Sequence, residues 1–345
     1  MAESIKGIDN DRVTAWFHSN VAEARGPLAF DLIAGGHSNL TYRVTDAEEH
    51  HFVLRRPPLG QVLATAHDMG REHKIISALG PTDVPVAPAL GLCLDDDVNG
   101  APFYVMDFVD GRVLRDAAAA SAISPHARAN ASQSVADTLV RIHALDPDAV
   151  GLGDLGKKAD YLPRQLKRWY GQWNKSKTRE LPLIDKLHDQ FQAGIPTQGP
   201  ATIVHGDYRL DNCMTDDDGA IVAVLDWELC TLGDPLADVG LLMVSWTEAS
   251  DSTPMLLTAP TTQDGFLSRQ EVLDRYAEVS GRDLSQIDYY TAFGYWKLAC
   301  IVEGVYARYV GGSMGSNDPA AFEGFKLQVQ RCAEAAAEAM RRLRR

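Results

Sequence analysis

Residues 202–227 have the sequence "TIVHGDYRLDNCMTDDDGAIVAVLDW", and this stretch decides how the rest of the chain is interpreted. Its first residues predict a short strand that ends in a loop. The remainder predicts a hairpin with the turn "DDDG" and a buried return strand over residues 221–225. Such a hairpin brings Asn212, at its start, back beside Asp226, at its end. We therefore expect the amide oxygen of Asn212 and the carboxylate of Asp226 to face one point.

The polar residues of this stretch favour chemistry on a phosphate group. An amide oxygen and a carboxylate suit a hard cation such as Mg²⁺, which carries phosphates of its own. Asp207 precedes Asn212 by five positions and remains available to take the proton of an attacking hydroxyl. The order D-x-x-x-x-N followed by a metal-binding aspartate is the one used for phosphoryl transfer. We interpret Asp207 as the catalytic residue, and Asn212 and Asp226 as the metal ligands.

The composition of the chain limits the class of protein. Its 345 residues, 45% of them hydrophobic, suffice for one large domain or for two lobes with separate cores. The formal net charge of −14 argues against nucleic-acid binding, which needs lysine and arginine to displace phosphate counterions. The five cysteines form no C-x-x-C pair and indicate neither a zinc site nor a disulfide framework. Without a secretion signal or an apolar run of about 20 residues, we expect a cytoplasmic protein that does not span a membrane.

The pattern of secondary structure changes near residue 110. Before it, the strand-like runs are "FDLIAG", "LTYRVT", "HFVLRR" and "PFYVMDFV". After it, helical spacing dominates. We therefore predict an α+β protein, with a small β-rich N-lobe over residues 1–109 that has a sheet and one helix, and a larger, mainly helical C-lobe over residues 110–345.

Capping signals locate several of the C-lobe helices. Ser124 with Pro125 is typical of a helix start, and Ser268 with Glu271 forms a capping-box pattern. Gly281 is expected to end that second helix. The last helix is predicted to start at residues 318–319, and its apolar stripe is interpreted as a core face made of Phe322, Phe325, Val329, Cys332, Ala336 and Leu343.

These strings together resemble the aminoglycoside phosphotransferase-like kinases, a family related to choline kinases and protein kinases. The segment "HGDYRLDN" is similar to the catalytic loop of that family, and "VLDWE" to its metal-binding segment. The ordered set "GGHSNLTYRV", "FVLRRPP", "PFYVMDFVDG", "HGDYRLDN" and "LGDPLAD" most resembles the branch that includes the kinase-like region fused to some acyl-CoA dehydrogenases. The resemblance covers nearly the whole chain. It implies a two-lobed protein-kinase-like fold in which ATP and Mg²⁺ bind between the lobes.

The segment "IAGGHSNLTYRV" predicts two strands joined by a flexible turn. Its backbone N–H groups and small polar side chains suit contacts with phosphate oxygens. An ordinary hairpin turn is the alternative, which two glycines would serve equally well. In the order of motifs found here we favour a phosphate-covering loop, whose cofactor-binding residues are Gly35, Gly36, Ser38 and Asn39.

The run "HFVLRRPP" offers two arginines to a nucleotide, but strand alternation places them on opposite faces. Val53 and Arg55 share one face. The resemblance selects Arg55, which lies where many kinases have a phosphate-binding lysine, and it places Val53 on the nucleotide side as well. An arginine can bind phosphate and a carboxylate together. Arg56 is then expected to be an exposed charge.

The partner of Arg55 is predicted from helical periodicity in "TAHDMGREHKIISAL", residues 65–79. A step of 100° places Glu72 on the apolar face of this helix, where a charge needs a buried partner. An ion pair between Arg55 and Glu72 meets that need. The alternative is a glutamate at the rim of the face that reaches solvent, because Asp68 lies at a similar angle.

The string "FYVMDFVDG" is similar to the strand that enters the hinge between kinase lobes. The resemblance implies that Met106 lies behind the adenine, and that the C=O of Asp107 and the N–H of Val109 bind its edge. A strand leaving the core is the alternative. The side chains do not separate these interpretations.

Four further polar residues near the motif are interpreted as structural. The resemblance implies that His205 supports the catalytic loop and does not act as the base. Asp211 is expected to stabilise a turn. Asp234 and Asp238 flank a proline turn, and the resemblance implies that Asp238 braces the loop without binding metal.

The acceptor hydroxyl is the least determined part of the function. Residues 157–179 are rich in lysine and arginine within an acidic chain, and any of these that face the cleft would favour an anionic acceptor. The branch resemblance also indicates a hydroxy acid or a hydroxyacyl thioester. An aminoglycoside, another amino alcohol or a sugar remains an alternative, as does a nucleotide-binding pseudokinase with a regulatory role. The sequence does not predict an oligomeric state.

Overall fold

The structure is a computed structural model that describes residues 5–34, 39–59, 67–251, 259–312 and 322–343. Helices predominate in these ranges. They are α1 (Asn10–Asn20), α2 (Met69–Leu79), α3 (Asp96–Asn99), α4 (Ala117–Ser121), α5 (Pro125–Ala144), α6 (Tyr161–Ser176), α7 (Pro182–Ala193), α8 (Leu236–Ser245), α9 (Arg269–Ser280), α10 (Ile287–Val310) and α11 (Glu323–Arg342).

The strands form one large and two small sheets. They are β1 (Ala29–Ala34), β2 (Leu40–Thr45), β3 (His51–Arg56), β4 (Ala89–Cys93), β5 (Phe103–Asp107), β6 (Arg112–Val113), β7 (Thr202–Val204), β8 (Cys213–Thr215), β9 (Ile221–Val224) and β10 (Thr231–Gly233). The sheet orders are β1-β2-β3-β5-β4, β10-β7 and β6-β8-β9. All of the strand runs that the sequence indicated are present, whereas β4, β6 and β10 were not foreseen.

The chain divides into two compact units. The first consists of residues 1–111 and 222–229, and the second of residues 112–221 and 230–345. The predicted boundary between residues 109 and 110 lies two residues before the first division. The sequence did not indicate that residues 222–229 associate with the first unit.

The large antiparallel sheet organises the first unit. Strand β2 alternates buried and partly buried side chains, as a sheet with one covered face requires. The prediction of one helix in residues 1–109 is wrong, since α1, α2 and α3 all lie there. Helix α1 buries only Val13 and Phe17 completely, so its sequence has no long apolar stripe that periodicity would detect.

Helix α10 forms the centre of the second unit. It packs against α6, α7, α8 and α11 in one core cluster, which also contains the buried face of the last helix. In that cluster Val329, Cys332 and Ala336 are fully buried, so the core interpretation of this stripe is confirmed. The predicted helix start at residues 318–319 lies outside the described residues. No helix of the described ranges has both the length and the apolar character that a membrane span needs.

The predicted capping signals are confirmed. The Ser124 side chain accepts a hydrogen bond from the N–H of Ala127 at the start of α5. Ser268 and Glu271 form both halves of a capping box at the start of α9, and Gly281 ends that helix with φ 66°. Such local bonds satisfy N–H groups that have no partner within the helix.

Candidate functional site

The segment before Asp207 is held by a buried carboxylate. Asp238, from α8, accepts hydrogen bonds from the N–H groups of His205 (2.7 Å) and Gly206 (2.8 Å). Gly206 has φ +84°, a backbone conformation that favours glycine. The Nδ1 atom of His205 accepts a hydrogen bond of 3.2 Å from the N–H of Asp207. The predicted loop-supporting roles of His205 and Asp238 are therefore confirmed.

Asp207 and Asn212 lie side by side at the end of this loop. The Asn212 amide nitrogen donates to the main-chain oxygen of Asp207 at 2.8 Å and to its carboxylate Oδ2 at 2.9 Å. A 3₁₀ turn over Leu210–Asn212 shortens the chain between them. The side chain of Asp207 is 32% exposed. Both of these hydrogen bonds use the nitrogen of the amide, and the other polar atom of the Asn212 side chain is its oxygen, an acceptor.

Arg209 is a residue of this loop that the sequence analysis missed. Its guanidinium lies 3.4 Å from the carboxylate of Asp207 and 3.1 Å from that of Asp211. Asp211 is thus paired with a neighbouring cation. Burial raises the pKa of Asp211, and Arg209 opposes this shift. The available signal was a basic residue two positions after Asp207, the aspartate predicted to be catalytic.

A buried network extends from Asp238 away from the loop. His143 Nε2 lies 3.3 Å from Asp238, and its Nδ1 lies 2.8 Å from the hydroxyl of Tyr276. Burial lowers the pKa of His143. Burial opposes ionisation of Asp238 as well, but hydrogen bonds from His143 and Gly206 hold its pKa below the usual value. Asp238 is therefore a charged brace for the loop.

Asp234 has a similar structural role. It accepts hydrogen bonds from the hydroxyl of Tyr290 at 2.7 Å and from the N–H of Leu236 at 3.1 Å, where α8 begins. Burial raises its pKa. These contacts agree with the prediction that Asp234 supports the fold.

In the first unit, the predicted ion pair between Arg55 and Glu72 is present. Arg55 Nε on β3 lies 3.2 Å from Glu72 Oε2 on α2, and the Glu72 side chain is 2% exposed. The alternative that Glu72 reaches solvent is wrong. Asp68 lies outside the helix as its N-cap and accepts a hydrogen bond from the N–H of Arg71.

Glu72 has two further, uncharged partners. The hydroxyl of Tyr104 donates to Oε2 at 3.1 Å, and the amide of Asn39 donates to Oε1 at 3.0 Å. Burial raises the pKa of Glu72, whereas Arg55 lowers it. Asn39 is thus part of a buried network; its predicted neighbours in the phosphate-covering loop, Gly35, Gly36 and Ser38, lie outside the described residues. Tyr104 was missed, because a tyrosine in a strand carries no signal for a distant carboxylate.

Arg55 also binds Asp226. One guanidinium nitrogen lies 2.6 Å from Asp226 Oδ1, and the Asp226 side chain is 34% exposed. Asp226 has φ 61°, which is unusual for a residue with a side chain. Burial opposes the charge on Arg55, but Tyr104, Glu72 and Asp226 together raise its pKa. Arg55 therefore stays charged and links two carboxylates.

Arg56 contradicts the sequence prediction. It was expected to be exposed, but it is only 5% exposed. Its guanidinium donates to the carbonyl oxygens of Gly7, of Asn99 (3.1 Å) and of Pro57 (3.3 Å). Strand alternation gave the correct face, but the N-terminal segment and the end of α3 cover that face too.

The predicted adenine-binding residues lie on and after β5. Pairing between β3 and β5 places Val53 directly opposite Met106, so their side chains share one face of the sheet. Val53 is 7% exposed. The N–H of Asp107 donates to the carbonyl of Pro88 at 2.9 Å, and Val109 follows the strand. Nucleotide binding by Met106, Asp107 and Val109 remains a prediction.

Comparison with known proteins identifies relatives of this chain. Residues 30–278 match the model of the phosphotransferase enzyme family, APH. A crystal structure of a candidate aminoglycoside phosphotransferase from Ralstonia eutropha JMP134 has a TM-score of 0.81 and 32% sequence identity, and covers 96% of this chain and 98% of that chain. The GDP complex of aminoglycoside 2'-phosphotransferase-IIIa has a TM-score of 0.64 at 13% identity, covering 94% of this chain and 99% of that chain. This last similarity shows a shared fold.

Acyl-CoA dehydrogenase family member 10 of Mus musculus is similar to this chain as well. The two are 35% identical over 296 residues, which are 84% of this chain and 27% of the relative. The chain thus spans about a quarter of the length of that relative. The resemblance drawn from the motifs is confirmed, including its acyl-CoA dehydrogenase branch. The chain belongs to the APH phosphotransferase enzyme family and has its protein-kinase-like fold.

Proposed function

We propose that this protein is an ATP-dependent kinase that transfers the γ-phosphate to a hydroxyl group of a small molecule. One observation carries the proposal: the Asn212 amide nitrogen donates to the carboxylate of Asp207 at 2.9 Å, which places the two polar side chains of the motif side by side. A partly exposed carboxylate beside an amide oxygen suits a general base next to a hard cation. Membership of a phosphotransferase family supports the same reaction.

In this proposal Asp207 accepts the proton of the acceptor hydroxyl. The hydroxyl oxygen forms a bond to the γ-phosphorus, the bond from that phosphorus to the β,γ-bridging oxygen breaks, and the hydroxyl proton passes to the Asp207 carboxylate. Braced by Asp238 and hydrogen-bonded to Asn212, the Asp207 carboxylate is held in one orientation. Alignment and electrostatics of this kind are the main contributions of a protein to phosphoryl transfer.

We assign the metal to Asn212 and Asp226. Their donors are an amide oxygen and a carboxylate, a set that fits Mg²⁺ and does not favour softer metals. When bound, Mg²⁺ would neutralise charge on the phosphate oxygens. Arg55 is positioned by Glu72 and supplies the fixed cation for the nucleotide phosphates.

The remaining nucleotide contacts in this proposal are those that the order of motifs and the family resemblance imply. Val53, Met106, Asp107 and Val109 would hold the adenine. Gly35, Gly36, Ser38 and Asn39 would cover the phosphates. The GDP complex of the structural neighbour shows that this fold accommodates a nucleoside diphosphate in that protein, which supports a nucleotide here.

For the acceptor we propose a hydroxy acid or a hydroxyacyl thioester. The name of the mouse relative, an acyl-CoA dehydrogenase family member, supports an acyl substrate. The basic residues of 157–179 support an anionic acceptor less than the composition of this stretch indicated. Three of its cations already have carboxylate partners, in the pairs Lys158 with Asp148, Lys177 with Glu180 and Arg179 with Glu303.

Substitution of Asp207 tests the reaction. We expect Asp207→Asn to lower kcat by about 10²–10⁴, the usual contribution of a general base, and to leave nucleotide binding by calorimetry unchanged. Asp211→Asn is the matched control, because Asp211 lies in the same loop, pairs with Arg209 as Asp207 does, and has no part in the proposed reaction. Full activity of the Asp207 variant would remove this residue from the mechanism.

A panel of acceptors, read by mass spectrometry for gain of a phosphate, tests the substrate class. It should contain hydroxy acids, hydroxyacyl-CoA thioesters and kanamycin-like amines. Phosphorylation of the amines with none of the acyl compounds would overturn the acyl assignment. Binding of Mg²⁺-ATP without turnover on any acceptor, and without ATP hydrolysis, would favour the pseudokinase alternative.

A further inference from the structure

Lys297 is a buried cation that the proposed reaction has not used. It lies on α10, it is 7% exposed, and its Nζ atom donates a hydrogen bond of 2.7 Å to the carbonyl oxygen of Gly206. Gly206 directly precedes Asp207 in the chain. The sequence analysis missed Lys297, because nothing near it in the sequence marks its partner.

The surroundings of Lys297 do not explain it as part of a buried ion pair. Its Nζ lies 5.5 Å from the centroid of the Trp169 ring. Among the described residues, no carboxylate lies within 4.0 Å of it. Burial lowers the pKa of Lys297, while the more distant carboxylates of Asp207 and Asp238 raise it. Burial of an ammonium group costs free energy unless the group is paired or hydrogen-bonded, so the bond to Gly206 offsets part of this cost.

Lys297 completes a clamp on one residue of the loop. Asp238 binds the N–H of Gly206 at 2.8 Å, and Lys297 binds its carbonyl oxygen at 2.7 Å. A carboxylate from α8 and an ammonium from α10 thus hold both polar groups of Gly206, each with the complementary charge. Because Gly206 has φ +84°, its peptide orientation sets the direction in which the chain enters Asp207.

We propose that Lys297 is a positioning residue for phosphoryl transfer, which fixes the carbonyl of Gly206 and thereby the orientation of the Asp207 carboxylate. This inference rests on the proposed function. Lys297 contacts neither substrate nor metal in this scheme, so it acts through the loop. A misplacement of about 1 Å in such a site is enough to cost roughly 10²-fold in rate.

The test is Lys297→Met, which keeps the length and packing of the side chain and removes its hydrogen bond. We expect kcat to fall by about 10- to 100-fold, while the KM for ATP and the Kd for nucleotide change by less than about threefold. Lys297→Arg, which retains charge and donors, should recover part of the lost kcat. Amide hydrogen exchange at His205 and Gly206 should accelerate in the methionine variant.

Arg128→Met provides the matched control. Arg128 is also a buried cation of the second unit, 8% exposed, and donates to the carbonyls of Ala120, Ile123 and Asp264 at 2.7–2.9 Å. Its loss should lower thermal stability without changing kcat per folded molecule. Equal losses of kcat in both variants would assign Lys297 to general stability and overturn the proposal.

The outcomes separate this inference from the proposed function. If the wild-type protein turns over ATP and folded Lys297→Met matches its kcat within twofold, the positioning role is wrong and the kinase assignment stands. If the wild-type protein shows no turnover, the kinase assignment fails. The clamp is then tested by hydrogen exchange only, which should be faster at Gly206 in Lys297→Met than in the wild-type protein. Should Lys297→Met not fold, Lys297→Gln takes its place, and the same criteria for kcat and KM apply.

Discussion

Replacing Arg55 with methionine should destabilise the first unit by about 3–5 kcal/mol, the cost of leaving one partner of a buried ion pair unpaired. Because both partners are largely buried, we expect the loss of stability to be at the upper end of the range for ion pairs. Glu72 is 2% exposed and Arg55 is 14% exposed, so solvent screens this pair very little. Once the guanidinium is removed, the donors left to Glu72 among the described residues are the uncharged groups of Tyr104 and Asn39.

Urea denaturation measures the loss, with hydrogen exchange of the α2 amides to report the first unit separately. Arg43→Met is the matched control in the same sheet. Its pair with Asp31 has side chains that are 42% and 57% exposed, so its loss should cost less than about 1 kcal/mol. A cost below about 1 kcal/mol for Arg55→Met as well would refute the reasoning.

A second substitution isolates the buried charge as the cause. In the double variant Arg55→Met with Glu72→Gln, the amide keeps the volume of the glutamate and carries no charge. We expect it to recover more than half of the stability lost in the single variant. A double variant that is no more stable than the single one would show that packing, and not charge, explains the loss.

The pH dependence of the same variant has a definite sign. Burial raises the pKa of Glu72 from 4.5, and Arg55 opposes that shift, so loss of Arg55 should raise the pKa further. A group with a raised pKa binds more protons in the folded state, and stability then falls as pH rises through that interval. The deficit of Arg55→Met should therefore be smallest near pH 4.5 and grow toward neutral pH. A deficit that shrinks with rising pH would contradict this assignment.

Three further substitutions test separate features of the fold by urea denaturation. Tyr104→Phe removes a buried donor from Glu72 and should cost about 1–3 kcal/mol; a loss below about 0.5 kcal/mol would show that the hydrogen bond is unimportant. Gly240→Ala places a Cβ 2.5 Å from the backbone of Tyr290, so α8 and α10 must separate, and we expect a loss of about 1–3 kcal/mol. Ser268→Ala removes the capping box of α9 and should cost about 1 kcal/mol; an unchanged free energy of unfolding would count against the cap.

Local patterns in the sequence predicted those features that depend on residues close together in the chain. The caps at Ser124 and Ser268, and the turn between β8 and β9, are set by hydrogen bonds within a few positions. Periodicity placed Glu72 on a buried face, and the need of a buried charge for a partner predicted its pairing with Arg55. The motif that contains Asp207, taken together with the order and spacing of the other motifs, identified the family.

Tertiary structure alone decided which distant groups meet. Lys297 and Gly206 are 91 positions apart, and Arg56 and Asn99 are 43 apart. Periodicity indicates which face of a helix or strand is covered, but it carries no information about the element that covers it. The sequence gives even less information about a buried polar group that pairs with a backbone carbonyl, since every residue has such a carbonyl. For this reason the sequence by itself determined the family and its fold, whereas the clamp on Gly206 and the burial of Arg56 depend on how α10 and the N-terminal segment pack within their own units.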